Sequence, residues 1–390
     1  PVSWSSSHKL TLSAYRDINV NAKMNVGSKG GSLAFKYGQG LRSKRGRSLA
    51  TDNVNASVNL ASGVKFTTQL GSNGNTRSYT IINSLGSPGT NNSNTLQGMN
   101  NNKSGNYVLG SDINASKTSN WNSGKGFAPV GSKSTKFSGI FDGLGHTISG
   151  LTINRGSTDY VGLFGYASGS GIRNVGLVRG SVTGNNNVGE LVGANFGLII
   201  NAYATGTVTG SNNIGGLVGS NRSAIISKAY ATGTVTGSSN IGGLVGQNRS
   251  GAHSALIRNA YATGTVTGSS KVGGLVGYNS GELAKIQKAY AVGPVSGSNN
   301  KIGGLVGSNQ YGTIRNAYWD SNTAGVSQGV GHGSNSGVTG LTNTQMEQRS
   351  NFNGFDFTNK PIWRIYNGYT KRWLESFLTP LTISGGRKSK

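Results

Sequence analysis

Eleven carboxylates, four histidines and no cysteine are what this 390-residue chain offers for acid–base, nucleophilic or metal chemistry. Cleavage of polysaccharides needs two opposed acids, or acids around a calcium ion with a base beside them. Asp17, Asp52, Asp112, Asp142, Asp159, Glu190, Glu282, Asp320, Glu347, Asp356 and Glu375 stand apart in sequence and form no cluster. His8, His146, His253 and His332 show no metal-ligand spacing. Without cysteine there is no thiolate metal site, disulfide framework or cysteine nucleophile. Gly143-Leu144-Gly145 follows Phe-Asp and opens no helix, so it is no phosphate loop. The expectation is a non-enzymatic chain with no catalytic residue, no metal and no cofactor.

The cations say more. The net charge is +25, which attracts anionic partners such as acidic glycans, nucleic acid or anionic membrane. Eight cations recur at equivalent places. Arg222 and Arg249 both stand in Asn-Arg-Ser; Lys271 and Lys301 both precede Val/Ile-Gly-Gly. Lys228 and Lys288 replace the asparagine before Ala-Tyr, and Arg258 and Arg315 stand one residue earlier. Stacked, they become rows of like charge, whose repulsion an acidic partner relieves. The alternative is that scattered lysines keep a long β stack soluble and its edges unpaired. Asn-x-Ser/Thr sequons at Asn55, Asn91, Asn102, Asn114, Asn221 and Asn248 are possible glycosylation sites if the compartment supplies a transferase.

What positions these residues is a unit written five times. Asn-Ala-Tyr-Ala-Thr-Gly or a close variant places tyrosines at Tyr203, Tyr230, Tyr261, Tyr290 and Tyr318, at intervals of 27, 31, 29 and 28 residues. Gly-Leu-Val-Gly recurs around Leu217, Leu244, Leu275 and Leu305, with Glu-Leu-Val-Gly at Leu191 and a divergent copy at Val161–Gly165. Such a period means stacked repeats. In 202–209 the residues alternate: Ala202, Ala204, Gly206 and Val208 on one face, Tyr203, Thr205, Thr207 and Thr209 on the other, which is a strand. Ile214–Val218 is a second strand and 221–229 supplies a third. Three short strands per repeat, with no helical stretch, predict an all-β parallel β-helix. In register, Asn195, Asn221, Asn248, Asn279 and Asn309 form one amide ladder, and the tyrosines form another column.

Along the chain, 1–105 reads as N-terminal coils, 106–159 as transition coils, 160–320 as the repeat coils and 321–390 as loop, aromatic cap and basic tail. Within the first segment, Leu41–Arg47 holds four cations in seven residues, a solvated loop or an anion-binding tip. Residues 71–105 read as loop with short strands near Tyr79 and Tyr107. Thr342–Arg349 reads as a short helix. Phe352, Phe355, Phe357, Trp363, Tyr366, Tyr369, Trp373 and Phe377 are too aromatic for a solvated tail, so 341–379 is expected to cover the exposed last coil. No apolar run is long enough to span a membrane. Pro1-Val2-Ser3-Trp4 lacks the features of a signal peptide, and the chain reads as a piece of something larger or a processed product.

Gly-Gly-Leu-Val-Gly with Asn-Ala-Tyr-Ala-Thr-Gly resembles the GLUG repeat of large bacterial surface proteins. Asn106–Asn114, Phe127–Val130 and Phe141–Ile148 look like the segment before such repeats in filamentous-haemagglutinin-like exoproteins. Leu10–Asn21, and Trp363-Arg-Ile-Tyr with Phe377-Leu-Thr-Pro-Leu381, are similar to the high-molecular-weight adhesins of Haemophilus, although Lys371-Arg-Trp-Leu374 stands where that family shows Pro-Leu-Leu. The resemblance implies a right-handed β-helix, secreted by the two-partner route through an outer-membrane partner and tethered at the cell surface. It implies an adhesin that binds host-cell glycans, often sialylated, and cytoplasmic glycosylation of sequons; nucleic acid is not an expected partner. Gly331-His332-Gly333 is similar to one element of galacturonan hydrolases, whose aspartate pair and Arg-Ile-Lys element are missing here. The runner-up readings are a structural spacer and, behind it, a polysaccharide-degrading β-helix.

Overall fold

The computed structural model describes residues 1–27, 30–40, 51–299, 301–358, 362–368, 370 and 373–377. The basic Leu41–Arg47 segment, Tyr369, Lys371-Arg372 and the basic tail lie outside the described residues.

The repeats stack as parallel coils, so the chain is a β-solenoid. One coil places Val218–Arg222 and Ile225–Ala231 in a first sheet, Val235–Thr236 in a second and Ser239–Gly242 in a third. Each strand pairs in parallel with its equivalent one repeat away: Val208, Val235, Val266 and Val295 align in the second sheet, Ile214, Ile241, Val272 and Ile302 in the third. In the first sheet one column climbs through His146, Val175, Ala202, Ala229, Ala260, Ala289, Ala317 and Val338. Rungs of paired strands rise by about 4.8 Å, so the inward leucines Leu217, Leu244, Leu275 and Leu305 stack into a continuous, fully buried core.

The alternation over 202–209 holds, with Ala202, Ala204, Gly206 and Val208 buried, but the strand is broken. Val192–Ala204 ends in the first sheet and Thr207–Thr209 begins in the second. The bend falls at Gly206, where a Cβ would lie 2.3 Å from the Gly180 carbonyl oxygen. A second corner explains the Asn/Lys exchange before Ala-Tyr. Asn174, Asn201, Lys228, Asn259, Lys288 and Asn316 all adopt left-handed backbone with φ between 50° and 53°, a region asparagine enters more readily than most residues.

The N-terminal coils are built differently. Val2–Trp4, Met24–Val26 and Val58–Leu60 form one sheet, and Lys9–Ser13, Ser32–Tyr37 and Lys65–Leu70 another, around Phe35 and Phe66. The 71–105 stretch is less loop-like than expected: Thr76–Ile82 turns back antiparallel on Lys65–Leu70, then pairs in parallel with Asn106–Leu109.

Two features at the C-terminal end correct the expected cap. The last repeat carries Trp319, 5% exposed, where the preceding rung has Ala291, and one further rung, Val330–Gly333 and Val338–Leu341, pairs onto it. Its ring fills the space over Gly304 that any side chain there would occupy. The aromatic segment that follows runs back along the tyrosine column. Phe352 and Phe355 pack on Tyr318, Trp363 on Tyr261 and Tyr290, and Phe377 edge-on against Tyr203 and Tyr230. The physical reason is area: stacked phenol rings present a flat apolar strip along several rungs, and aromatic pairs favour edge-to-face contact with such rings. The short helix is present as Asn343–Met346, closed by a capping box between Thr342 and Gln345.

Candidate functional site

Both columns foreseen in the repeat are present. Asn195, Asn221, Asn248 and Asn279 each donate from Nδ2 to the Oδ1 of the next rung at 2.8–2.9 Å, ending on Asn309. Backbone groups pin the direction. Asn195 Oδ1 accepts from Gly197 N–H, and Asn309 Nδ2 donates to the carbonyls of Gly312 and Ser334. Tyr203, Tyr230, Tyr261 and Tyr290 stack with centroids 4.8–5.0 Å apart and planes within 6°. The ladder corrects two glycosylation candidates: Asn221 and Asn248 are fully buried with their amides committed, so neither is available in the folded coil. Asn91, Asn102 and Asn114 are exposed; Asn55 is half-buried and donates to Asn21.

The eight repeat cations do not form a single wall. Arg222 and Arg249 are in register on the outer face of the first sheet, Arg222 donating to Ser220 Oγ. Lys271 reaches this face from the third sheet, its Nζ 4.2 Å from the centre of the Tyr278 ring. Lys271, Lys301, Tyr278, Gln310, Tyr311 and His332 line one groove of about 620 Å³, and no carboxylate lines it. Burial, then the neighbouring Lys301, pulls the Lys271 ammonium below its ordinary value. An anion in the groove relieves both penalties.

The other four cations follow the left-handed corner. Arg258 and Arg315 fall in one register column with Ser227 and Gln287, while Lys228 and Lys288 occupy the corner itself. Lys228 donates to Asn53 of the N-terminal coils at 3.5 Å, and burial holds its ammonium down, partly offset by Asp17. The bend at Ser223, with φ of 48°, separates the two groups.

Folding also gathers carboxylates that looked isolated. Arg173 donates from Nε to Asp142 at 2.6 Å and from Nη2 to Asp52 at 3.1 Å, both acids being fully buried. Burial pushes the Asp52 carboxyl up despite the guanidinium. Glu190 stands where later repeats have glycine, fully buried, with Oε2 accepting from Gly206 N–H at 2.7 Å. Burial pushes its carboxyl up to about 8. All three acids are buried, and no group of three or more His, Asp or Glu able to hold a metal occurs among the described residues.

Glu190 yields a pH test. Its folded-state pKa lies above the unfolded value, so the native chain loses stability as pH rises from about 4.5 towards 8. Glu190→Gln keeps the shape without the charge. We expect equal stability at pH 4.5 and a gain of about 4 kcal/mol at pH 8, read by denaturant unfolding.

Residues 210–236 and 237–267 match the family model described as the GLUG motif. Two copies of the repeat thus carry the GLUG motif. Halomucin of Haloquadratum walsbyi is 45% identical over 104 residues, 25% of this chain and 1% of that protein. A provisionally named Gly-rich membrane protein of Evansella cellulosilytica is 38% identical over 82 residues, 20% of this chain and 10% of that protein. The chain thus spans a small part of the length of these relatives. Among solved structures, a provisionally assigned immunoglobulin A1 protease of Bacteroides ovatus aligns with a TM-score of 0.45 at 21% identity, over 63% of this chain and 76% of that one. Among the described residues no helix is long and apolar enough to cross a membrane.

Proposed function

We propose that this chain is a surface-exposed segment of a large secreted exoprotein and that it binds acidic glycans on the outer face of its first sheet. The groove that sets Lys271 and Lys301 around the Tyr278 ring carries the reading. Sugars stack on tyrosine rings while their carboxylate or sulfate groups meet ammonium groups. Arg222 and Arg249 extend the same positive face. Lys228, Arg258, Lys288 and Arg315 form a separate corner row, one member of which already holds the N-terminal coils. The names of the two curated relatives, a mucin-like name and a membrane protein, are in keeping with a surface location. Adhesion to host cells, secretion by the two-partner route and preference for sialylated glycans extend this reading by resemblance to the Haemophilus adhesins.

A glycan array probed with this chain at two salt concentrations tests the proposal. Binding should be confined to acidic glycans and weaken as salt rises. Lys271→Asn with Lys301→Asn should reduce it by at least tenfold, the substitutions restoring the asparagine of earlier repeats. Binding indifferent to salt and to both lysines would overturn it. A second reading, a stiff spacer, is favoured by the unbroken asparagine and tyrosine columns. On that reading the isolated chain does not block attachment of cells that display it.

A further inference from the structure

We propose that the ligand is an extended acidic saccharide chain that lies along the solenoid axis and is gripped at two separated points of one face. The proposal rests on the reading that this face takes acidic glycans, and it names the form of glycan. A single outward column of the first sheet runs Tyr166, Ala194, Ser220, Gln247, Tyr278, Ser308. Its two tyrosines are four rungs apart, about 19 Å at the spacing of paired strands. Each is the centre of a cluster of rings and cations.

At the first, Tyr166 stacks on Phe196 with centroids 5.0 Å apart and planes 16° from parallel, and Tyr160 meets its edge. Lys136 Nζ stands 5.8 Å from the Tyr166 ring centre, and the Arg222 charge acts on the Tyr166 hydroxyl. Asp159, adjacent to Tyr160, is turned to Asn185 and Asn186, which give its Oδ1 three hydrogen bonds. At the second, Lys271 covers Tyr278 and Lys301 joins it, while Tyr311 stands 76% exposed beside them. Between the clusters the column carries only alanine, serine and glutamine, all buried, with Arg222 lying over Ser220, so no ring or carboxylate of this column stands between the two clusters. Arg249, one register position past Asn248, is exposed beside this column.

A single terminal sugar occupies one cluster and gains nothing from the other. A linear chain of several acidic units reaches both, and the second contact then forms at high effective concentration. The tandem repeat thereby does what a single concave pocket does elsewhere: it sets two modest sites at a fixed separation on a rigid rod.

Size-graded acidic oligosaccharides, from disaccharide to dodecasaccharide and prepared from heparin and from polygalacturonate, test this by calorimetry with the whole chain. Affinity should step up by about 10²-fold once a chain is long enough to span both clusters. Lys271→Asn with Tyr278→Gln writes in the residues of the preceding rung and so respects the fold. It should abolish the step and leave short-chain binding at the first cluster intact. Lys136→Gln with Arg222→Ser should abolish the step from the other end. Affinity independent of length, or a step that survives loss of either cluster, would overturn the proposal while leaving the acidic-glycan reading in place. Absence of binding at every length would overturn both.

Discussion

Arg173→Ala is expected to cost about 3–5 kcal/mol and to release the N-terminal coils from the repeat stack. Arg173 bridges Asp142 on the transition coil to Asp52 on the N-terminal coils. Both acids are buried, and removing the cation leaves two uncompensated carboxylates facing each other, the costly way to break a buried ion pair. Asp142 keeps partners of its own, accepting from Leu144 N–H and Asn174 Nδ2; Asp52 loses its guanidinium contact. The deficit should shrink in acid. Burial already raises the Asp52 carboxyl, and without the opposing Arg173 charge it rises further, so the variant's stability is present at low pH and is lost as pH rises past about 4. Replacing the ion cluster by neutral groups is far less harmful than halving it. Arg173→Met with Asp52→Asn should therefore recover much of the loss. Hydrogen exchange gives the spatial readout: amides of Val58–Leu60 and Ser32–Tyr37 should lose protection before those of the repeat coils. A uniform loss along the chain would show that Arg173 does not couple the two parts.

That junction was closed to sequence reasoning for a physical reason. Asp142 and Arg173 are register partners on adjacent rungs, but Asp52 stands 121 residues before Arg173 and nothing periodic links it to them. The repeats are the opposite case. Their period, the inward alternation of Ala202, Ala204 and Val208, and the asparagine ladder all follow from one premise, that identical units pair in register. The premise fails to say where along the coil's perimeter a residue lies. Arg222 and Lys228 are six residues apart, yet the bend at Ser223 sends them to different parts of the surface, so rows foreseen as one wall divide into two. The aromatic tail was legible as a cover, because eight rings cannot be left in water, but not as a cover for the tyrosine column. A signal for the core-filling ring was available: Ala-Tyr-Ala becomes Ala-Tyr-Trp only in the last repeat, at Trp319, and the rung that follows sets glycines against it, Gly340 in register and Gly329 beside the indole. Glu190 was a signal of the same kind, a charged residue written where later repeats need glycine. The cations of the candidate groove were found from repetition; Tyr166, Phe196, Tyr278 and Tyr311 were missed, since none recurs at the repeat period.

Asn248→Asp is expected to give the largest pH-dependent loss in the molecule. Asn248 accepts from Asn221 Nδ2 at 2.8 Å, and its own Nδ2 donates to Asn279 Oδ1 at 2.8 Å and to Ala255 O at 3.3 Å. The aspartate keeps the acceptor and the shape. Its second oxygen then faces two acceptors, in a site with no access to water. Ionisation there is opposed by burial and by both facing oxygens, so the carboxyl should remain protonated well above its ordinary range. Fully buried acids shift by about 3–5 units, and each unit is about 1.4 kcal/mol. The folded-state pKa exceeds the unfolded one, so stability is retained below about pH 4 and is lost as pH rises, by about 4–7 kcal/mol once the folded form must ionise. Asn248→Ala is the control. It leaves Asn279 Oδ1 and one Asn221 N–H unpaired, about 1–3 kcal/mol each, with no dependence on pH. The two stability curves should therefore cross: at pH 4 the protonated aspartate can still donate to Asn279 and the alanine variant is the weaker, whereas at pH 8 the aspartate variant is. Parallel curves would mean that the amides are solvated and that the rungs are held by backbone pairing alone. A crossing would show that direction matters in the ladder, each rung donating one way because Gly197 N–H at one end and the carbonyls of Gly312 and Ser334 at the other leave no alternative.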